Sequence, residues 1–521
     1  MQDLIELVNL FQKTKFRSGG LKDLVLEQGS QMERLYEAIA DGNLRNDDEI
    51  VRVLPEIAGA HSKIYAVKNK FKERLLDSLL LLDFKEPAFS DRQKAFYECS
   101  KKWAASMVLF SKGARNSAVD LLESLLRQTI RFEFTEITLD ILRALRQHYG
   151  LSCGNEKKYE QLDAQLEEYE SYWMAERKVE GLYLRLVTRY VNSKAAKSAI
   201  AEKSKEYVAQ IAADMQQCQS FKAQFYGRLI EMIHYDSVSD HTGTIRCCEE
   251  ALAFFDQKSY KSAMARQVFG YNLFVSWFYL RNFERCSRIV AEYGNLFEAG
   301  SFNWFKLQEM QLLVELHRGQ YESANRIFSE TLQHPGFNDL PQPTPELWNI
   351  FEAYLHLLKA SSLLNDTATD TRFRINKFRN SVMEYSKDKA GMNIPIIIIQ
   401  FLLDLSEGKT DECTTRAENL AKYRTRYLNG DSAPRTRHFL RMLEQIPKSG
   451  FNAKALQQKT SAIFKALSST PLEQSDQNHE IEVIPYEALW EITVGLLNPT
   501  VSTRRLPESG RKIQTREGQS H

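Results

Sequence analysis

Two ten-residue stretches decide the fold: RNFERCSRIV (281–290) and GQYESANRIF (319–328). At an offset of 38 they pair Phe283 with Tyr321, Glu284 with Glu322, Cys286 with Ala324, Arg288 with Arg326, and Ile289 with Ile327. The shared rule is a turn residue, an aromatic two positions later and a small residue five positions later. The aromatic covers the turn, and the small residue sits where neighbouring helices cross closely. Upstream of the second stretch, Phe302, Phe305, Leu312, Leu313 and Leu316 recur at steps of three and four; downstream, Tyr321, Ala324, Ile327, Phe328 and Leu332 do the same. Between them lies HRGQ (317–320), whose glycine can take a positive φ. The reading is a helix, a tight turn and an antiparallel helix.

The turn-then-small pattern extends outward. Gly113 precedes Ala118, Gly243 precedes Cys248, and Gly408 precedes Cys413 and Ala417. The intervals between these turns divide into steps of about 38–45 residues, which places further turns near Gly154, Ser193 and Asn365. The prolines agree: of 13, none lies between Pro87 and Pro335. A helix interior excludes proline at a cost of about 3 kcal/mol, so a proline-free stretch of this length reads as helical.

The segment from Gly319 to Ala324, Gly-x-Tyr-Glu-x-Ala, resembles the tetratricopeptide repeat (TPR) family, with Phe328 and Pro335 at roughly the family's later positions. The resemblance is loose over 88–430 and best over 243–335. The period exceeds the family's 34, and bulky Leu312 and Phe274 stand where that family has a small residue inside the first helix. The resemblance is therefore to degenerate, TPR-like repeats. It implies an all-α solenoid, a right-handed superhelix of about seven or eight antiparallel helix pairs whose concave surface binds a protein or peptide. Fold alone does not fix which partner.

The expected organisation is an N-terminal helical cap (1–87), a TPR-like array (88–335), an irregular basic helical continuation (336–470), a linker with a C-terminal helix (471–498) and a disordered basic tail (499–521). The cap reads as helices at 2–14, 21–41, 47–53 and 56–83. Past the proline-rich loop 334–345, helices are expected at 346–364, 371–389, 394–407, 411–428, 433–445 and 451–468, then a last one ending near Leu497.

Basic and acidic side chains nearly cancel, 69 against 68, so whole-molecule attraction to nucleic acid or anionic membrane is not expected. Seven scattered cysteines without a C-x-x-C fit reduced thiols rather than a disulfide framework or a zinc site. The first residues lack the basic start and unbroken apolar core of a signal peptide. The apolar run Ile394–Leu405 is interrupted by Pro395, Gln400 and Asp404 and is too short to span a bilayer. A cytoplasmic protein without membrane contact is the expectation.

Candidate chemistry is sparse. His234, Asp236, Asp240 and His241 are the densest group of metal-ligand types, but they read as a polar loop between helices. Gly408-Lys409-Thr410 resembles the end of a phosphate loop, yet Leu403 replaces the required upstream glycine, leaving a helix corner. No nucleophile-elbow, dinucleotide or Cys–His signature occurs, so no catalytic residue, cofactor or metal is assigned.

Two surfaces remain. Arg372, Arg374, Lys377, Arg379, Lys422, Arg424, Arg426, Arg435 and Arg437 form a basic segment interleaved with tyrosines, the alternative reading being nucleic-acid (RNA) binding through 372–441. The leading reading is a non-catalytic scaffold, with Asn272, Gln308, Glu309, Glu315, Arg318 and Trp348 facing the groove.

Overall fold

The computed structural model describes residues 1–13, 26–58, 60–81, 91–193, 197–341, 344–365, 377–378, 393–428, 433–472 and 482–498. Every regular element among them is helical. The α-helices are α1 (Gln2–Lys13), α2 (Gln31–Ala40), α3 (Ile50–Val53), α4 (His61–Ser78), α5 (Asp91–Ser111), α6 (Arg115–Arg131), α7 (Thr135–Gln147) and α8 (Glu156–Ser193). There follow α9 (Lys197–Gln217), α10 (Phe221–Ser237), α11 (His241–Asp256), α12 (Ala263–Tyr279), α13 (Phe283–Tyr293), α14 (Phe302–His317) and α15 (Tyr321–Gln333). The last are α16 (Thr344–Ala360), α17 (Asn393–Ser406), α18 (Thr410–Tyr427), α19 (Pro434–Leu443), α20 (Gln445–Lys448), α21 (Ala453–Ser469) and α22 (Tyr486–Leu496). Sequence neighbours pack as pairs: α5 with α6, α9 with α10, α11 with α12, α12 with α13, α14 with α15, and α17 with α18. The expected helix 371–389 and tail 499–521 lie outside the described residues, apart from Lys377 and Phe378.

One backbone device makes the corners. At Gly42, Gly113, Glu133, Ser239, Arg281, Gly319, Ser362 and Gly408, φ is positive, between 55 and 81°. At each, that residue's N–H donates to the carbonyl three residues back, and the next N–H donates to the carbonyl five before it, as in Gly319→Leu316 and Gln320→Glu315. This is the Schellman arrangement, which satisfies the last carbonyls of one helix while reversing the chain. From Ser239 onward the corners fall about 40 residues apart.

The small-residue rule has a packing counterpart. Ala118, Thr138, Thr244, Cys286, Ala324 and Cys413, each five past a corner, are all buried to within 1%. Cys286 Sγ lies 3.7 Å from the Phe274 carbonyl and Cys413 Sγ 3.9 Å from the Phe401 carbonyl. Each is a second helix pressed onto the backbone of the first, which leaves no room for a larger side chain.

One turn needs correcting. The sequence pattern puts a corner at Gly243, but the chain reverses at Ser239, and Gly243 lies inside the first turn of α11. It is glycine for space: a Cβ there would fall 2.4 Å from the Tyr235 ring. The residue five past the true corner is Thr244, not Cys248.

The chain divides into two compact units, Met1–Met174 with Lys258–Ser262, and Ala175–Gln257 with Ala263–His521. In the first, Leu4, Val8 and Phe11 of α1 pack with Leu35, Ile39, Phe71 and Leu75, and a second core joins Leu122 and Leu125 to Leu139, Leu142, Leu162 and Leu166. In the second, Val179, Leu182 and Leu186 pack with Tyr207, Ile211 and Ile230. The apolar run 394–405 is the buried helix α17, and no helix among the described residues is long and apolar enough to cross a membrane.

Candidate functional site

The expected groove residues come from the first helices of successive pairs. Tyr271 of α12 and Trp348 of α16 both lie near the Glu309 carboxylate of α14. Glu309 is 5% exposed and accepts both its ion-pair bonds from Lys306, at 2.9 and 3.1 Å. Burial raises its pKa; Lys306 and the nearby Trp348 indole oppose the rise. Burial also pushes the Tyr271 phenol up, and the Glu309 charge adds to it.

Two of the expected groove residues are therefore not surface contacts. Glu309 is buried, and Trp348, at 1% exposure, is packed among Phe328, Phe337 and Phe351. The sequence pattern places them correctly on first helices, but adjoining pairs close over them. Asn272 is half-buried and donates to the Val268 carbonyl at 2.8 Å; Gln308 is half-buried. Glu315 is half-buried and paired with exposed Arg318 at 3.3 Å.

The basic segment does not assemble as expected. Arg435 is 1% exposed and points inward. Its guanidinium donates to Glu482 Oε1 and Oε2 at 2.6 and 3.0 Å, and to Glu487 Oε1 and Oε2 at 2.9 and 2.7 Å. It also donates to the carbonyls of Thr470 (2.7 Å) and Leu467 (3.2 Å). Arg424 is bidentate on buried Glu444, at 2.8 and 3.2 Å. Lys422 and Arg426 are exposed, but two residues along a helix turn the side chain by about 200°, so they leave α18 away from Arg424. Arg437 is half-buried, and Lys377 lies near the Glu352 carboxylate. Arg372, Arg374 and Arg379 lie outside the described residues. Carboxylates distant in sequence consume two of these arginines, which no local charge count reveals.

The residues read as a polar loop lie mostly in helices, His234 and Asp236 in the last turn of α10 and His241 at the start of α11, and all have structural partners. His234 Nδ1 is 3.2 Å from Ser204 Oγ, Asp236 accepts from Thr244, Asp240 caps α11, and His241 stacks on Tyr279. Gly408 forms a corner, as expected.

Sequence reasoning missed two groupings. Around Arg435, the segment Glu482–Glu487 leads into α22, Tyr486 stacks on Phe439 at 4.5 Å, and Tyr486 OH lies 3.1 Å from Thr436 Oγ1. His317, at the end of α14, has its Nε2 2.6 Å from the Glu482 carbonyl, and Arg281 reaches Glu487 at 3.6 Å. A carbonyl only accepts, so Nε2 carries the proton and Nδ1, which is buried, holds the lone pair. Burial, with Arg281 and Arg435 adding to it, lowers the His317 pKa to about 4. The only sequence signal was a carboxylate-bearing stub before a tryptophan helix. The second grouping is Cys153, the one exposed cysteine, with Sγ 3.2 Å from His148 Nε2 across the π-helical turn His148–Ser152. That five-residue spacing arises from the wider turn and has no sequence signature.

No protein-family model matches the chain, and neither a curated protein nor a solved structure matches it.

Proposed function

We propose that the chain is a non-catalytic, cytoplasmic scaffold that binds a protein or peptide along the first-helix face of a TPR-like, right-handed array of helix pairs. The observation that carries this reading is the meeting of Tyr271, Glu309 and Trp348. They come from first helices of three successive pairs, which supports reading α12, α14 and α16 as the inner row of a repeat stack. The Schellman corners that recur about every 40 residues from Ser239 onward support the same reading. Recognition would fall to the less buried neighbours of that row, Asn272, Gln308, Glu315 and Arg318, on helices already held in place, which lowers the ordering cost of binding.

Affinity capture with the full chain, followed by titration of the recovered partner against the triple variant Asn272→Ala, Gln308→Ala and Arg318→Ala, tests it. A loss of tenfold or more with unchanged helicity supports the groove. Equal affinity, or no partner that binds the purified chain, overturns it. Nucleic-acid binding through 372–441 is the weaker reading, because Arg424 and Arg435 are committed internally.

A further inference from the structure

The C-terminal segment 482–498 is fastened to the rest of the second unit by one polar cluster and one apolar face. Tyr486, Leu489, Trp490, Ile492 and Val494 are the buried apolar face. The polar fastening is the Arg435 pairs with Glu482 and Glu487, the Arg281–Glu487 pair, and the hydrogen bond from His317 to the Glu482 backbone carbonyl. The segment is tethered to α21 through EQSDQNHE (473–480), a stretch without an apolar residue. The contacts that hold the segment in place are those of Glu482, Glu487 and the apolar face of α22.

His317 is the member whose charge works against the fastening. It is packed against Phe278, with ring centroids 4.7 Å apart, and near Phe283. The charged groups facing it are Arg281 from the α12–α13 corner, Arg435 from α19, and Glu482 and Glu487 from the segment itself. Both carboxylates are already held by Arg435. A proton on the buried Nδ1 would have no acceptor and would place a third cation beside two guanidinium groups.

We propose that 482–498 is an acid-released strap: protonation of His317 loosens its seat between α14 and α19 and frees the apolar face of α22 while the rest of the second unit stays folded. The direction follows from linkage. Released, His317 takes its proton near the ordinary 6.5; docked, only near 4. Docking is at full strength above pH 6.5 and weakens as pH falls toward 4. At pH 5.0 the released fraction rises about 30-fold over its value at pH 7.5.

Hydrogen exchange of the full chain, corrected for intrinsic exchange rates, reads this directly. Peptides from 482–498 should lose protection about 30-fold at pH 5.0 relative to pH 7.5, while peptides from α17 and α19 keep theirs. His317→Gln, whose amide can still donate to the Glu482 carbonyl without titrating, should remove most of that pH dependence. Unchanged protection at pH 5.0 overturns the proposal. So does simultaneous loss across α17 and α19, or a full pH response in His317→Gln. If that variant does not fold, the wild-type ring titration by NMR decides: a midpoint well below 6.5 supports the strap, and one near 6.5 overturns it.

Discussion

Replacing Arg435 with methionine tests the C-terminal cluster most severely. The change removes six hydrogen bonds and leaves the Glu482 carboxylate buried, with only the Tyr486 backbone N–H at 3.2 Å remaining. Two carbonyls, of Leu467 and Thr470, lose a donor. Glu487 is more exposed and can rehydrate, so Glu482 sets the cost. Breaking one side of a buried pair costs about 3–5 kcal/mol. The penalty should depend on pH in a defined sense. Burial already raises Glu482, and without Arg435 only the Tyr486 backbone N–H opposes that rise. A carboxyl whose folded pKa lies above its unfolded value loses stability as pH rises, so the cost of Arg435→Met should be largest at neutral pH and shrink on acidification. The double variant Arg435→Met, Glu482→Leu should recover more than half of the loss, because an apolar replacement of the pair strands no charge. Urea titration read through exchange of α19, α21 and α22 peptides measures all three. A cost below about 1 kcal/mol at pH 7, or a cost that grows toward acid, refutes the reasoning.

The other expectations are simpler. At Gly319, φ is 71° and a Cβ would stand in open space, so Gly319→Ala should cost about 1–2 kcal/mol from backbone conformation alone, while Arg281→Gly at φ 55° should be neutral or slightly stabilising; thermal melts compare them. A thiol reagent at pH 8 should label one of seven cysteines in the folded protein, Cys153, since the others are buried and burial pushes Cys99 to about 11 and Cys286 and Cys413 to about 12. Arg424→Glu should cost about 1–3 kcal/mol by setting two carboxylates together at Glu444, whereas Lys422→Glu and Arg426→Glu should stay within about 0.5 kcal/mol in the same melts.

Much of the helix architecture was legible because its causes are local. A positive-φ corner asks for glycine or a tolerant residue, and a close crossing asks for a small one. Those two demands, repeated, exposed the corners at Gly113, Arg281, Gly319 and Gly408. Gly243 misled because glycine also serves close approach, here against Tyr235, and the corner fell on Ser239, which carries no glycine signal. The candidate surfaces were less legible because burial is set by partners remote in sequence. Arg435 looks like a solvent-facing cation until Glu482 and Glu487, about 50 residues on, fold over it. Trp348 and Glu309 sat on the right helices, but which side a neighbouring pair covers is a tertiary fact.

The most direct test of the scaffold reading is a hydrogen-exchange footprint of the full chain with its captured partner bound. The account predicts added protection concentrated in peptides of α12, α14 and α16, around Asn272, Gln308 and Arg318. Protection confined to α18 and α19, or spread without preference for first helices, would contradict it.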